Sequence, residues 1–499
     1  MTASGAPHVF ISYVQEDKTH VDHLCTILAA AQIPFWRDRN SLGPGDSWKM
    51  KIRDAIRSNS AVFLACFSEQ SLAKKKSYMN EEITIAVEEF RTMSPGHNWL
   101  IPIRFDDIAI PEWDLGAGRT FYDLNYVDLF GENRDANMVT LAMTLVRAVG
   151  GDTVDPTTVS ASVDEATLAE RRVMLRRLTK EMLLEPSRAI ELNDLVSDEV
   201  GRIIGEMQDT DRFPVTLVSG SNHEQLATIA SIAKDYRELV GPFCDSLQVA
   251  ARWGATNDLT PWTDGLRAIY NEADKPLSGN TILIKLRKIP TVIATFTAAL
   301  ACTGSKRWDN FKTLLVDNEV NYGSRGKKAF LDANSLWEPF ENVPKLGLNI
   351  IARSTIQRET PLDSLSWIEK NNFSYRTPIA EWLLATLRST FNDQFRDERT
   401  YEAEFDRAEV FLGIVSQDLA NVAAGQDPAR AWLRRSLWFG RVMWRFRSHH
   451  NPVDEFSTEL TNLGSNWPPL RANLFDSDSD RAGQAISEYD EQLRKSPFL

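Results

Sequence analysis

The stretch "HVFISYVQEDKTHVDHLCTILAAAQIPFW" (residues 8–36) predicts the fold of the N-terminal part of the chain. Residues 8–13 form a short apolar run, which is typical of a buried strand. The next segment places Val21, Leu24 and Leu28 on one helical face, and residues 33–36 predict a second strand. Strands that alternate with helices are typical of a parallel sheet covered by helices on both faces.

The same alternation continues to about residue 148. "AVFLACF" (61–67) and "WLIPIRF" (99–105) predict two further strands, and "RTFYDL" (119–124) predicts a fifth. Residues 1–149 are therefore expected to form an α/β domain. Ligands of such sheets bind at the carboxyl ends of the strands, near the point where the strand order reverses.

After residue 149 the sequence changes in character. "GGDTVDPTTVSA" (150–161) has the composition of a linker, and residues 162–499 predict a mostly helical region, possibly divided into two subdomains. Within that region "FPVTLVS" (213–219) is the one clear strand-like run, and "FDSDSDRAGQ" (475–484) predicts a loose acidic segment.

The composition limits the classes of function. The net charge is −13, which lacks the basic excess of a protein that coats nucleic acid. The four cysteines are far apart, so neither a disulfide framework nor a zinc site is expected, and a cytoplasmic location fits best. No signal peptide is recognisable, and the apolar stretch 290–302 is too short to span a membrane, so we expect a buried helix there and no membrane partner.

A basic segment, residues 429–450, stands out in this acidic chain. "ARAWLRRSLWFGRVMWRFRSHH" combines arginines with tryptophans and contains no acidic residue. Such a pattern suits phosphate contact and base stacking, so an anionic or nucleic-acid trigger is one hypothesis. The favoured interpretation is an amphipathic helix with Trp438, Met443 and Phe446 inward and the arginines paired with acids elsewhere in the chain.

Two adjacent glutamates, Glu81 and Glu82, lie near the start of the helix predicted after the third strand. A helix N-terminus stabilises an ionised carboxylate. Tyr78 lies three residues before one glutamate and four before the other, so either can share its face. An aromatic ring beside a carboxylate suits a small-molecule site, although a charged helix start without function is the simpler interpretation. The spacing alone does not choose between the two glutamates.

The N-terminal region resembles a known family. "HVFISYVQED", "PFWRDRNSLGPGDSWKMKIRDAIRSNSAVFLACFS", "YMNEEI" and "WLIPIRF" occur in the order seen in TIR (Toll/interleukin-1 receptor homology) domains, especially those of bacteria. The resemblance covers residues 8 to about 148, and "SLGPGDSW" (41–48) is similar to the BB loop of that family. It implies a flavodoxin-like sheet of five parallel strands.

The resemblance also implies a catalytic residue. Some TIR domains cleave NAD+ with a glutamate that lies four places after an aromatic residue, often Trp. In this sequence that spacing selects Glu82, with Tyr78 in the aromatic position. The resemblance further implies substrate contacts at Ser12 and Tyr13.

The loop after the second strand supplies three more candidate contacts. Asp38, Gly45 and Trp48 are expected at the same rim as Glu82. Their alternative roles are structural, since Asp38 can bond backbone and Trp48 can belong to the core.

The expected function follows from the resemblance. NAD+ is the expected substrate, and no cofactor or metal is expected. Nicotinamide leaves as a neutral molecule, so its departure needs no general acid. The chain is expected to be a bacterial antiviral defence effector that self-associates through its TIR domain and is activated through its C-terminal region. The alternative is a non-enzymatic TIR adaptor, or a mimic of host signalling, that acts by TIR–TIR binding.

Overall fold

The computed structural model describes residues 7–30, 33–37, 56, 60–74, 76–93, 99–116, 118–131, 134–149, 156–217, 220–323, 326–426, 435–445 and 451–495. The chain divides into two compact units, Met1–Arg171 and Arg172–Leu499. No helix within these described ranges is long and apolar enough to cross a membrane.

The first unit is an α/β structure. Its strands are β1 (His8–Ser12), β2 (Phe35–Trp36), β3 (Ser60–Phe67), β4 (Leu100–Arg104), β5 (Asp114–Gly116), β6 (Arg119–Thr120) and β7 (Val127–Asp128). Its helices are α1 (Lys18–Ala30), α2 (Glu69–Leu72), α3 (Tyr78–Phe90) and α4 (Arg134–Ala148). The alternation predicted from residues 8–36 is confirmed.

Five strands form one parallel sheet in the order β2-β1-β3-β4-β7. The chain moves outward from β1 to β2 and then returns to place β3 on the other side of β1. The switch point of this sheet therefore lies at the carboxyl end of β1, where ligands of open α/β sheets bind.

Alternating side chains of the strands belong to two different cores. Val9 and Ile11 pack with residues of α1 and α4, whereas Phe10 packs with Ile83 and Val87 of α3. This alternation follows from the period of two in a strand, and burial on both faces explains the nearly continuous apolar runs.

The predicted fifth strand at residues 119–124 is wrong. Arg119–Thr120 pairs antiparallel with β5 in a separate ribbon, and the fifth strand of the sheet is β7. The chain turns here because Phe121–Asp123 forms a 3₁₀ turn, in which the Asp123 carboxylate accepts the backbone N–H of Thr120 at 2.7 Å.

From residue 156 onwards the structure is mainly helical. Its helices are α5 (Pro156–Leu183), α6 (Ala189–Met207), α7 (Asn222–Trp253), α8 (Thr260–Ala273), α9 (Thr281–Leu286), α10 (Ile289–Ser305), α11 (Trp308–Phe311), α12 (Lys345–Gln357), α13 (Pro361–Asn371), α14 (Pro378–Leu387), α15 (Glu398–Gln426), α16 (Val442–Arg445), α17 (Pro452–Leu463), α18 (Pro468–Arg471) and α19 (Ser479–Lys495). The strands β8 (Glu319–Asn321) and β9 (Lys327–Ala329) form an antiparallel pair. Helix α5 begins within the predicted linker 150–161, whose first six positions lie outside the described residues.

The core of the second unit includes helix α10. Every residue from 289 to 303 is buried, which confirms the buried helix predicted over 290–302.

A buried carboxylate with two arginine partners also lies in this unit. The Asp245 carboxylate accepts hydrogen bonds from Arg172 Nε at 2.6 Å and Arg176 Nη2 at 2.8 Å. Asp245 is 2% exposed, so its charge is stabilised by the two guanidinium groups.

Two local predictions for this region are wrong. Residues 213–217 form no strand. The carbonyl oxygen of Val215 accepts the N–H of Asn280 at 2.7 Å, but these residues take part in no ladder of strand hydrogen bonds. The acidic stretch 475–484 leads into the regular helix α19. That helix is stable because Ile486 and Tyr489, three positions apart, are buried on one face.

Candidate active site

Glu82 lies in the second turn of helix α3, and its neighbour Glu81 points in a different direction. Ser77 caps the helix, with its hydroxyl accepting the N–H of Asn80 at 3.2 Å. The cap fixes the start of the helix, and the packing of Ile83 and Val87 into the core sets its rotation. Glu82 is 7% exposed, whereas Glu81 is exposed. The fold therefore distinguishes the two carboxylates, which the helical spacing from Tyr78 alone left equivalent.

A hydrogen bond joins Glu82 to the end of strand β1. The hydroxyl of Ser12 donates to Glu82 Oε2 at 2.6 Å, across 70 residues of sequence. Ser12 is the last residue of β1 and is fully buried. The carboxylate thus lies at the carboxyl end of β1, beside the switch point of the sheet.

The other described candidates lie in different surroundings. Tyr78 is the first residue of α3, one turn before Glu82, and is half exposed. Tyr13 follows Ser12 and packs against the core of α1 and α4, on the opposite face of the sheet from α3. The structure therefore brings Ser12 to Glu82 and directs Tyr13 into the other core. Asp38, Gly45 and Trp48 lie outside the described residues.

Comparison with known families agrees with this fold. The family model of the TIR domain matches residues 9–142. Residues 9–142 are a TIR domain. No family model matches the C-terminal region of the chain. No curated protein matches the chain significantly.

The carboxyl edge of the TIR domain holds a second serine–carboxylate bond, which the sequence analysis missed. Ser68, directly after β3, donates to Asp17 Oδ2 at 2.6 Å, and both residues are buried. Asp106, after β4, accepts the N–H of Glu69 at 2.9 Å. Burial raises the pKa of Asp17, and the Ser68 bond opposes this rise. The position of Asp17, Ser68 and Asp106 after predicted strands was a signal in the sequence that could have placed them at this edge of the sheet.

Among the residues that the structure describes, no three His, Cys, Asp or Glu side chains are grouped closely enough to hold a metal ion.

The basic segment 429–450 is described over residues 435–445. Trp438 is fully buried, and Arg441 is 3% exposed. Arg441 forms ion pairs with Glu381 at 3.3 Å and Glu402 at 3.1 Å, and Arg445 pairs with the same Glu402 at 3.2 Å. These two arginines are therefore occupied by acids of the same unit, as the favoured interpretation required.

The amphipathic helix predicted for this segment is wrong in its described part, where only Val442–Arg445 is helical. Glu409 of α15 accepts three consecutive backbone N–H groups, from Gly440 at 3.1 Å, Arg441 at 2.8 Å and Val442 at 2.9 Å. The backbone bonds to a buried carboxylate here, so it does not continue as a helix. Phe446 lies outside the described residues.

Proposed function

We propose that the TIR domain cleaves the nicotinamide–ribose bond of NAD+, with Glu82 as the catalytic carboxylate. The observation that carries the proposal is a buried glutamate at the carboxyl end of β1, held there by Ser12 at 2.6 Å. Buried carboxylates are uncommon unless a structural or functional reason retains them. This one lies where parallel sheets bind their ligands.

The chemistry needs one negative charge and no acid. The nicotinamide ring of NAD+ is cationic and leaves as a neutral molecule, unlike the leaving group of an ordinary glycoside. A carboxylate can bind the ribose hydroxyls and stabilise the positive charge that develops on the sugar. Attack by water gives ADP-ribose, and attack from the adenine portion gives a cyclic product.

Tyr78 supplies an aromatic surface one helical turn from Glu82. Its ring is half exposed, so a planar base can stack on it. In the same proposal, Asp38, Gly45 and Trp48, which follow β2 in the sequence, contact the substrate.

Activity of this kind has to be regulated, because uncontrolled cleavage of NAD+ harms the cell that makes the enzyme. We propose that TIR domains of several chains assemble when the helical unit receives a trigger, and that the chain acts in bacterial antiviral defence. The competing function is an adaptor that uses TIR–TIR binding alone.

The test compares two adjacent glutamates. Purified full-length protein, with and without a crowding agent, is incubated with NAD+, and nicotinamide release is followed. Glu82→Gln is expected to lower the rate by about 10²–10³-fold, the range for losing one group that stabilises transition-state charge. Glu81→Gln removes the same charge from an exposed neighbour and is expected to retain activity.

Two results would overturn the proposal. One is equal release by wild type and Glu82→Gln. The other is no release under any condition in which particle size increases. Assembly that persists in Glu82→Gln without turnover by wild type would support the adaptor.

A further inference from the structure

We propose that Ser12 is a positioning residue for Glu82, acting through the carboxylate without touching the substrate. This inference rests on the proposed function. The TIR resemblance implies that Ser12 contacts NAD+, but its hydroxyl donates to Glu82 Oε2 at 2.6 Å and its side chain is fully buried. A serine hydroxyl can donate one hydrogen bond, and here Ser12 donates that bond to the carboxylate of Glu82.

The bond is charge-assisted when Glu82 is ionised, and its length of 2.6 Å fits that state. An O–H···O⁻ bond to an ionised carboxylate lies at about 2.5–2.7 Å and is stronger than a neutral bond. The bond favours the ionised form of Glu82, because Oε2 can accept the Ser12 hydroxyl fully only while it carries no proton of its own. The bond also restricts rotation of the Glu82 carboxylate, because Oε2 is held by Ser12.

The fold makes Ser12 a rigid support. The residue ends strand β1, which pairs with β3 in a register that sets Ser12 opposite Ala65. Glu82 comes from α3, a helix whose residues Ile83 and Val87 share a core with Phe10 of β1. Strand and helix are therefore packed together, and a site built on such elements is held more precisely than one on loops.

The neighbouring Ser68–Asp17 bond provides a matched control. It has the same length of 2.6 Å, the same chemical groups and two buried partners. It links the segment after β1 to the segment after β3, and Ser68 also caps helix α2. We assign this second bond to stability alone.

The experiment measures nicotinamide release by the full-length protein as a function of pH. Ser12→Ala is expected to lower kcat by about 10- to 100-fold, the range for a hydrogen bond to a charged group, with little change in KM. The acid limb of the pH–rate profile is expected to move up by about one pH unit, because a carboxylate that has lost this donor is protonated more easily. Ser12→Thr keeps the hydroxyl, so the acid limb of its pH–rate profile should lie at the same pH as that of wild type.

Ser68→Ala should lower the melting temperature and leave the acid limb in place. An unchanged limb and unchanged kcat in Ser12→Ala would overturn the positioning role. So would an equal shift of the limb in Ser68→Ala.

A second measurement does not depend on turnover. The carboxyl ¹³C signals of glutamate-labelled full-length protein are titrated, with Glu82→Gln used to assign the resonance. In Ser12→Ala the Glu82 signal should titrate about one pH unit higher than in wild type. If wild type releases no nicotinamide, the proposed function fails while this titration still tests Ser12. If Glu82→Gln abolishes release but Ser12→Ala changes neither titration nor limb, only the positioning role fails.

Discussion

The buried carboxylate of Glu409 allows a sharp prediction about the helical unit. Glu409 is 1% exposed and accepts three backbone N–H groups from the segment that contains Arg441. Burial, followed by repulsion from Asp406, raises its pKa from 4.5 to about 8, against the opposing effect of the N–H bonds. Burial and the N–H bonds act on this pKa in opposite directions, so the pH dependence of stability shows which of the two dominates.

The perturbation is Glu409→Gln, which keeps the shape and one acceptor oxygen but removes the titration. With a pKa near 8, the folded protein holds a proton on Glu409 that the unfolded chain releases above about pH 4.5. The stability contributed by this group is therefore complete at low pH and is lost as the pH rises towards 8. The loss amounts to about 1.4 kcal/mol per pH unit between the two values.

The assay is urea unfolding of the full-length protein at pH 5.5, 6.5 and 7.5, followed by tryptophan fluorescence. The stability of Glu409→Gln relative to wild type should rise by about 3 kcal/mol between the lowest and highest pH. Glu491→Gln, on an exposed site of α19, is the control and should show no such trend. A difference between Glu409→Gln and wild type that is the same at all three pH values would refute the reasoning. It would mean that the three N–H bonds keep Glu409 ionised throughout.

Three further predictions concern packing, thiol reactivity and the buried ion pair. Gly440→Ala should destabilise the protein by about 1–3 kcal/mol in urea unfolding, because an added Cβ would overlap the buried carboxyl group of Glu409; an unchanged midpoint would contradict the contact. Burial raises the pKa of Cys25 to about 11 and of Cys244 to about 12, so neither should react with iodoacetamide at pH 8 until urea unfolds the chain; rapid labelling of the native protein would contradict this. Asp245→Asn should cost about 1.5–3 kcal/mol, the range for hydrogen bonds to a charged group, because it removes the counter-charge of the two arginines; a change below 1 kcal/mol would show that water replaces the pair.

The sequence predicted those features that depend on local periodicity. The strand–helix–strand pattern of residues 8–36 and the apolar stretch 290–302 each formed the expected structure. A period of two or of 3.6 is a property of neighbouring residues, so it can be recognised without knowing the fold. The order of the TIR-like segments identified the domain for the same reason, because it needs only the chain itself.

The tertiary structure decided those features that depend on partners distant in the sequence. Glu81 and Glu82 are equivalent on a helix considered alone. The packing of Ile83 and Val87 and the hydroxyl of Ser12, 70 residues away, distinguish them. The fifth strand was misplaced because Thr120 begins a capped turn, and Arg441 became a buried ion-pair partner because acids of α14 and α15 surround it. A charged or polar side chain carries no local signal of burial, since its burial is stabilised by groups that only the folded chain brings together.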